Sequence, residues 1–219
     1  MACLIQQISS INNILHPHLL FVTLDHPAFF LMRHGETNSN KTGVWQCSID
    51  EPLNLAGVNQ SLDMSWTIRN IKPDVVISSD LRRAIETATI ALGNGHAIIL
   101  NENLRERRCG ELEGLNLSQI EERFGFRMDS ILSSELDRVP GAEKLADFEQ
   151  RISGAIEDIL LEYPDKRLLI VTHGGVIRMF YSKFVGPLPS RPVFKNCSVL
   201  GLRMESGRWV VDENHNALL

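Results

Sequence analysis

Leu168-Leu169-Ile170-Val171-Thr172-His173-Gly174-Gly175-Val176-Ile177-Arg178 is a short apolar run that turns on two glycines and continues into a new apolar segment. Four apolar residues in a row fit a strand buried on both faces of a sheet, as parallel strands are. From 174 to 185 the chain reads as a helix, ended by Gly186 and Pro187. A strand that feeds a helix through a tight turn is the repeating unit of an α/β fold.

Working outward, the unit recurs. Short apolar runs lie at Ala28-Phe29-Phe30-Leu31-Met32, at Val75-Val76-Ile77 and at Ala97-Ile98-Ile99-Leu100. Helix-period stretches separate them. In 143–162, Phe148, Ile152, Ala155, Ile156 and Ile159 form a stripe, and Pro164 stops the helix. In 55–70, Val58, Leu62 and Trp66 share a face; in 80–92, Leu81, Ile85, Ala88 and Leu92 do. Ser118 with Glu121 reads as a capping box for a short helix at 119–124. The tail from Cys197 to Val211 reads as a hairpin turning at Glu205-Ser206-Gly207. The expected architecture is α/β: a three-layer sandwich whose largely parallel central sheet is covered by helices on both faces.

Composition narrows the class. The 219 residues, 43 % of them apolar, suit one domain with a sizeable core. We read 27–219 as that single domain and 1–26 as an N-terminal extension. The extension has an apolar stretch at Leu19-Leu20-Phe21-Val22 but no Lys or Arg before it, so it makes a poor signal peptide. No apolar run is long enough to span a bilayer. A net charge of −5 argues against a general nucleic-acid binder, since counterion release needs a basic surface. Cys3, Cys47, Cys109 and Cys197 are scattered, with no C-x-x-C pair, and read as reduced thiols of a cytoplasmic protein.

The residues after the strands carry the chemistry. They are Arg33-His34-Gly35-Glu36, Ser78-Ser79-Asp80-Leu81-Arg82-Arg83, the charged stretch Glu102–Arg108, and Thr172-His173-Gly174-Gly175. Open α/β sheets bind ligands beyond the carboxyl ends of their strands, so these four segments are expected at one edge. Arginine forks match phosphate oxygens, and neutral imidazole is a nucleophile near pH 7. A glutamic acid protonates a departing ester oxygen and then deprotonates water. Gly174 opens a helix whose N-terminus favours negative charge. Taken singly, each feature has an ordinary structural explanation: a loop histidine, a tight turn, a solvated arginine pair, a surface ion pair. Their joint occurrence after four strands favours phosphoryl chemistry. A metal site using His34, His173 and His96 is the main chemical competitor. It lacks H-x-H, H-E-x-x-H or an Asp-rich cluster, so no metal and no cofactor is expected.

Leu31-Met32-Arg33-His34-Gly35-Glu36-Thr37 resembles the R-H-G signature of the histidine phosphatase superfamily, in its phosphoglycerate-mutase-like branch. Ser78–Ala88, Leu104–Leu115 and Val171–Arg178 resemble that family's further motifs, in the same order. The resemblance implies His34 as the phosphorylated nucleophile, Glu106 as the proton donor, and Arg33, Arg83, Asn40, His173 and Gly174 as phosphate ligands. Thr37, Gln46 and Cys47 are candidate specificity positions. Gln46-Cys47 replaces a usual polar-glycine pair, and Pro140-Gly141-Ala142-Glu143-Lys144 replaces P-G-G-E-S. Mutases of the family carry a longer basic insertion, whereas 116–139 contains only Arg123, Arg127 and Arg138 as basic residues. The expected activity is therefore hydrolysis of a small phosphomonoester, without nucleic acid or membrane as partner. The alternatives are mutase-type phosphotransfer and a non-catalytic binder of phosphorylated ligands. The tail hairpin reads equally as an edge for a homodimer or as a closure of the sheet.

Overall fold

The computed structural model describes residues 29–93, 96–126, 130–187 and 194–212. The expectations for 1–26, Ala28 and Arg127 lie outside the described residues. Six strands form one sheet in the order β3-β2-β4-β1-β5-β6. They are β1 (Phe29–Arg33), β2 (Val75–Ser78), β3 (Ile99–Leu100), β4 (Leu168–Thr172), β5 (Val199–Glu205) and β6 (Arg208–Val211). The first four run parallel; β5 lies antiparallel to β1 and β6 antiparallel to β5. The tail hairpin thus extends a parallel sheet.

Strand register sorts the apolar runs onto two faces. Phe29 sits opposite Leu168 and Leu31 opposite Ile170. These four pack with helix Leu145–Glu162 and helix Gly174–Phe180. Phe30, Met32, Leu169 and Val171 face the other way, against helix Ser65–Ile71 and helix Arg82–Leu92. Because alternate strand residues point to opposite faces, an all-apolar strand requires a helix layer on each side. The sandwich is the expected one.

Several local expectations fail for identifiable reasons. Residues 55–70 form two helices, Leu55–Asp63 and Ser65–Ile71. The stripe read there faces water: Leu62 is 53 % and Trp66 69 % exposed. The first helix buries Gly57 and Ser61 instead. A Cβ on Gly57 would lie 2.1 Å from the Glu36 carbonyl oxygen, so small residues let this helix approach the loop after β1. Helix Arg82–Leu92 buries Arg83, Ala84, Thr87, Ala88 and Ala91; of the expected stripe Leu81 and Ala88 are buried, whereas Ile85 and Leu92 are half-buried. The third strand is only two residues long and exposed at the sheet edge, not buried on both faces. The capping box is Asn116 with Gln119, two residues earlier than Ser118 with Glu121.

The reading of all four cysteines as thiols is also corrected. Cys47 and Cys109 form a disulfide across 62 residues, with Cα atoms 5.9 Å apart, within the usual range. Local spacing could not show this, because the fold alone brings the two loops together. Cys197 is free and buried. The bridge belongs to a third apolar cluster with Leu112, Ile120, Ile131, Leu136 and Val139. This cluster caps one end of the sheet, beside the pocket described next. No described helix is long and apolar enough to cross a membrane.

Candidate active site

The carboxyl ends of β1, β2 and β4 meet at one edge, as parallel topology demands. A pocket of about 250 Å³ opens there, lined by Arg33, His34, Asn40, Gln46, Cys47, Arg83, Glu106 and Gly174 among others. Every expected site residue except Thr37 and His173 contributes to its wall. Thr37 is fully buried and caps the short helix Asn38–Thr42. His173 lies just behind the wall, fully buried, its ring 5.2 Å from that of His34. His96 stands apart, beside Arg69 and Asp74. Among the described residues, no three His, Cys, Asp or Glu side chains converge as metal ligands.

His34 leaves β1, and its backbone N–H donates to the Thr172 carbonyl on β4. Its Nδ1 lies 2.7 Å from the Gly35 carbonyl oxygen. A carbonyl only accepts, so the ring proton sits on Nδ1 and Nε2 keeps its lone pair. Burial, then the charges of Arg83 and Arg33, hold the His34 pKa well below the ordinary histidine value. The ring is therefore neutral at neutral pH, with one nucleophilic nitrogen.

His173 is set the opposite way. Its Nε2 lies 2.8 Å from Ser79 Oγ. That oxygen also accepts the Leu81 N–H at 3.4 Å and keeps both a proton and a second lone pair, so it can pair with either tautomer of the ring. Nδ1 is a buried atom with no partner. Burial, and after it the charge of Arg83, keeps this ring neutral too. With its proton on Nδ1, the ring would donate to an incoming oxyanion.

Two guanidinium groups complete the donor set. Arg33 is tethered through Nη1 to the Phe194 carbonyl at 2.6 Å. Arg83 donates to the Ile49 and Cys47 carbonyls, at 2.7 Å each. In both, Nε is buried and unpaired. Burial lowers both pKa values to about 10, so both remain charged. Arg82, by contrast, is exposed and pairs with Glu86. Asn40 Oδ1 accepts from the Thr37 N–H and from Asn196 Nδ2, which leaves its own NH2 uncommitted. Gln46 accepts the Thr37 hydroxyl through Oε1, with the same consequence.

Glu106 lies opposite. Its Oε1 accepts from the Arg107 N–H and its Oε2 from the Gly175 N–H, at 3.0 and 2.8 Å. Its setting is built by two arginines that sequence reading left without a role. Arg107 is fully buried and donates to the carbonyls of Glu143, Ile131 and Ser133 and to Asp137. Arg151 grips the Glu143 carboxylate with two 2.8 Å bonds and the carbonyls of Asn103 and Arg105. Burial raises the Glu143 pKa, but these Arg151 bonds outweigh it and hold the carboxyl below its usual range. Asn196, Ser79 and Arg178 were also missed as site residues. Asn196 and Ser79 contribute through partners distant in sequence and Arg178 by lining the pocket, and no local pattern signals that.

An imidazole with a free lone pair, facing buried unpaired donors and a carboxyl group, suits transfer of a phosphoryl group to nitrogen. Comparison with known proteins agrees. The sequence pattern of the histidine phosphatase superfamily (branch 1) matches residues 29–217. The metal-independent phosphoserine phosphatase of Arabidopsis thaliana is 31 % identical over 187 residues, covering 83 % of this chain and 78 % of that protein. A probable phosphoglycerate mutase, GpmB, of Cronobacter sakazakii is 32 % identical, covering 83 % and 86 %. The fold matches a phosphoglycerate mutase from Bacillus anthracis with a TM-score of 0.76 at 24 % identity, over 89 % of this chain and 96 % of that one. The chain belongs to the histidine phosphatase superfamily, branch 1.

Proposed function

We propose that the chain hydrolyses phosphomonoesters of small metabolites through a phosphorylated His34. One observation carries the mechanism: Arg33 Nε and Arg83 Nε are buried donors without partners, His173 Nδ1 is a buried nitrogen without one, and all three are grouped about the neutral ring of His34. Buried donors without acceptors are rare and costly, and an oxyanion supplies what these lack. His34 Nε2 attacks phosphorus in line and the ester P–O bond breaks. Glu106 gives its proton to the departing oxygen. Arg33, Arg83, Asn40, His173 and Gly174 hold the transferred oxygens. Water then attacks the phosphohistidine and loses a proton to Glu106, which restores both groups.

Hydrolysis is favoured over phosphate migration by what the wall lacks. Among the described residues of 116–139, Arg123 pairs with Glu111 and Arg138 with Glu135, both at the surface. Neither lines the pocket to hold a second phosphate. Relatives bearing the names phosphoserine phosphatase and glucosyl-3-phosphoglycerate phosphatase support a small phosphorylated metabolite as substrate.

The test is turnover of an aryl phosphate quenched with alkaline denaturant, followed by assay for alkali-stable, acid-labile phosphoprotein. His34→Ala is expected to abolish the labile adduct and to lower kcat by at least ~10³-fold. Full turnover in that variant would sink the mechanism. Isomerase turnover exceeding phosphate release would replace hydrolysis by mutase chemistry.

A further inference from the structure

Three guanidinium groups line the pocket, but the phosphoryl group accounts for only two of them. Arg33 and Arg83 carry two positive charges, which balance the two negative charges of a phosphomonoester. Among the described residues Glu106 is the only carboxylate in the wall, and it is neutral when it carries the proton it donates. Arg178, from helix Gly174–Phe180, is the third guanidinium. It is half-buried, and its side chain makes no hydrogen bond or ion pair with any described residue.

Its placement is costly. Arg178 Nη1 and Arg33 Nε flank the same point beside Gly174 Cα, at 3.6 and 3.4 Å from where a Cβ would stand. After burial, the charge of Arg178 is the largest influence lowering the Arg33 pKa. Other arginines near the site have carboxylate partners: Arg105 has Asp80, Arg107 has Asp137 and Arg151 has Glu143. Like charges held close in a partly dry pocket repel, so a third negative charge from the ligand would relieve the site. A guanidinium fork pairs bidentately with a carboxylate or a phosphate, and of the two the carboxylate supplies the single charge that balances one further arginine.

We propose that Arg178 binds a carboxylate on the substrate, which makes the substrate class small phosphorylated hydroxy or amino acids. This rests on the hydrolase reading above and narrows it. Gly174 stands between Arg178 and Arg33, so the carboxylate lies within a few atoms of the phosphate. A short carbon chain spans that gap.

The experiment compares phosphoesters that differ only in the carboxylate. The pairs are 3-phosphoglycerate against glycerol 3-phosphate, and O-phosphoserine against O-phosphoethanolamine. Wild type is expected to favour the carboxylate-bearing member of each pair in kcat/KM. Arg178→Gln is expected to reduce that preference by about ten- to a hundredfold, mainly through KM, with Arg178→Lys between the two. Thermal unfolding checks that each variant is folded. Calorimetric binding of the same pairs to His34→Ala reads the preference without turnover, so failure of the hydrolase mechanism and failure of this proposal remain distinguishable. Equal losses on both members of a pair would place Arg178 on the transferred phosphoryl group and overturn the proposal. An unchanged preference, or none in wild type, overturns it as well.

Discussion

The sheet edge and the cap that walls the pocket hold their functional groups in different ways. At the sheet edge, Arg33, His34 and His173 are placed by strands that pair with one another, in register, through backbone bonds. In the cap, Glu106 is placed by side chains: Arg107 spans four acceptors between 131 and 143, Arg151 crosses from its helix, and Cys47–Cys109 ties the loop after β1 to the segment after Glu106. A strand ladder distributes its energy over many equivalent bonds, whereas the cap depends on a few polar and covalent ties. The sheet edge should therefore tolerate single substitutions outside its functional residues, and the cap should not. Every test of this contrast aims at a tie in one region and reads the other.

The largest effect is expected at Arg107. Arg107→Leu leaves three backbone carbonyls and Asp137 without their donor, at a cost of about 3–5 kcal/mol by urea unfolding. Turnover of poor leaving groups should fall with it, since Glu106 is the next residue. A loss under ~1 kcal/mol would show that water replaces the guanidinium, and the contrast would weaken.

The disulfide comes next. Replacing Cys47 and Cys109 together by Ser removes a 62-residue loop constraint worth about 2–4 kcal/mol in chain entropy. The capping loops keep other ties, such as the backbone bonds Trp45 N–H to Leu115 and Gly114 N–H to Trp45. Stability should therefore drop while turnover of an aryl phosphate changes little. A parallel loss of activity would mean that the bridge itself positions the wall.

Gly175 joins the two regions. A Cβ there would stand 2.2 Å from Glu106 Oε1 and 2.7 Å from Ile131 Cγ2. Gly175→Ala should push the carboxyl group aside, raising the barrier for poor leaving groups by about 1.5–3 kcal/mol. Activated aryl esters, which leave without a proton, should be spared. Equal losses on both ester types would separate Glu106 from the acid role.

The smallest effect is gradual and belongs to the sheet edge. His34 and His173 titrate well below the ordinary value of 6.5 because they are buried. Below that pH the unfolded chain takes up protons that the folded chain does not. Stability is thus fully present above about pH 6.5 and declines as pH falls, by up to ~1.4 kcal/mol per pH unit for each ring, until the folded pKa values are reached. Unfolding midpoints between pH 7.5 and 5 measure this. A flat profile would show that the rings are not buried neutral.

The same contrast explains what could be read in advance. Four strands, the alternation with helices and the tail hairpin were legible because apolar runs have a short period. Arg33, His34, Arg83, Glu106 and His173 were legible because each lies at or soon after a strand end, inside a stretch that resembles a motif of the family. The misreadings share one cause. Leu62 and Trp66 form a periodic stripe, yet Gly57 and Ser61 face the core, because close approach to Glu36 excludes large side chains there. Hydrophobic period reports which residues share a face, not which face the neighbours can accommodate.

The amino-acid sequence by itself determined the layer architecture, the strand ends that carry the chemistry and the family pattern, all set by local spacing along the chain. Only the tertiary structure decided the rest. It paired Cys47 with Cys109, oriented His173 through Ser79, enclosed Arg107 among four acceptors and left Arg178 without a carboxylate partner among the described residues. Each of these joins groups tens of residues apart, and such contacts arise only from the packing that brings distant segments together.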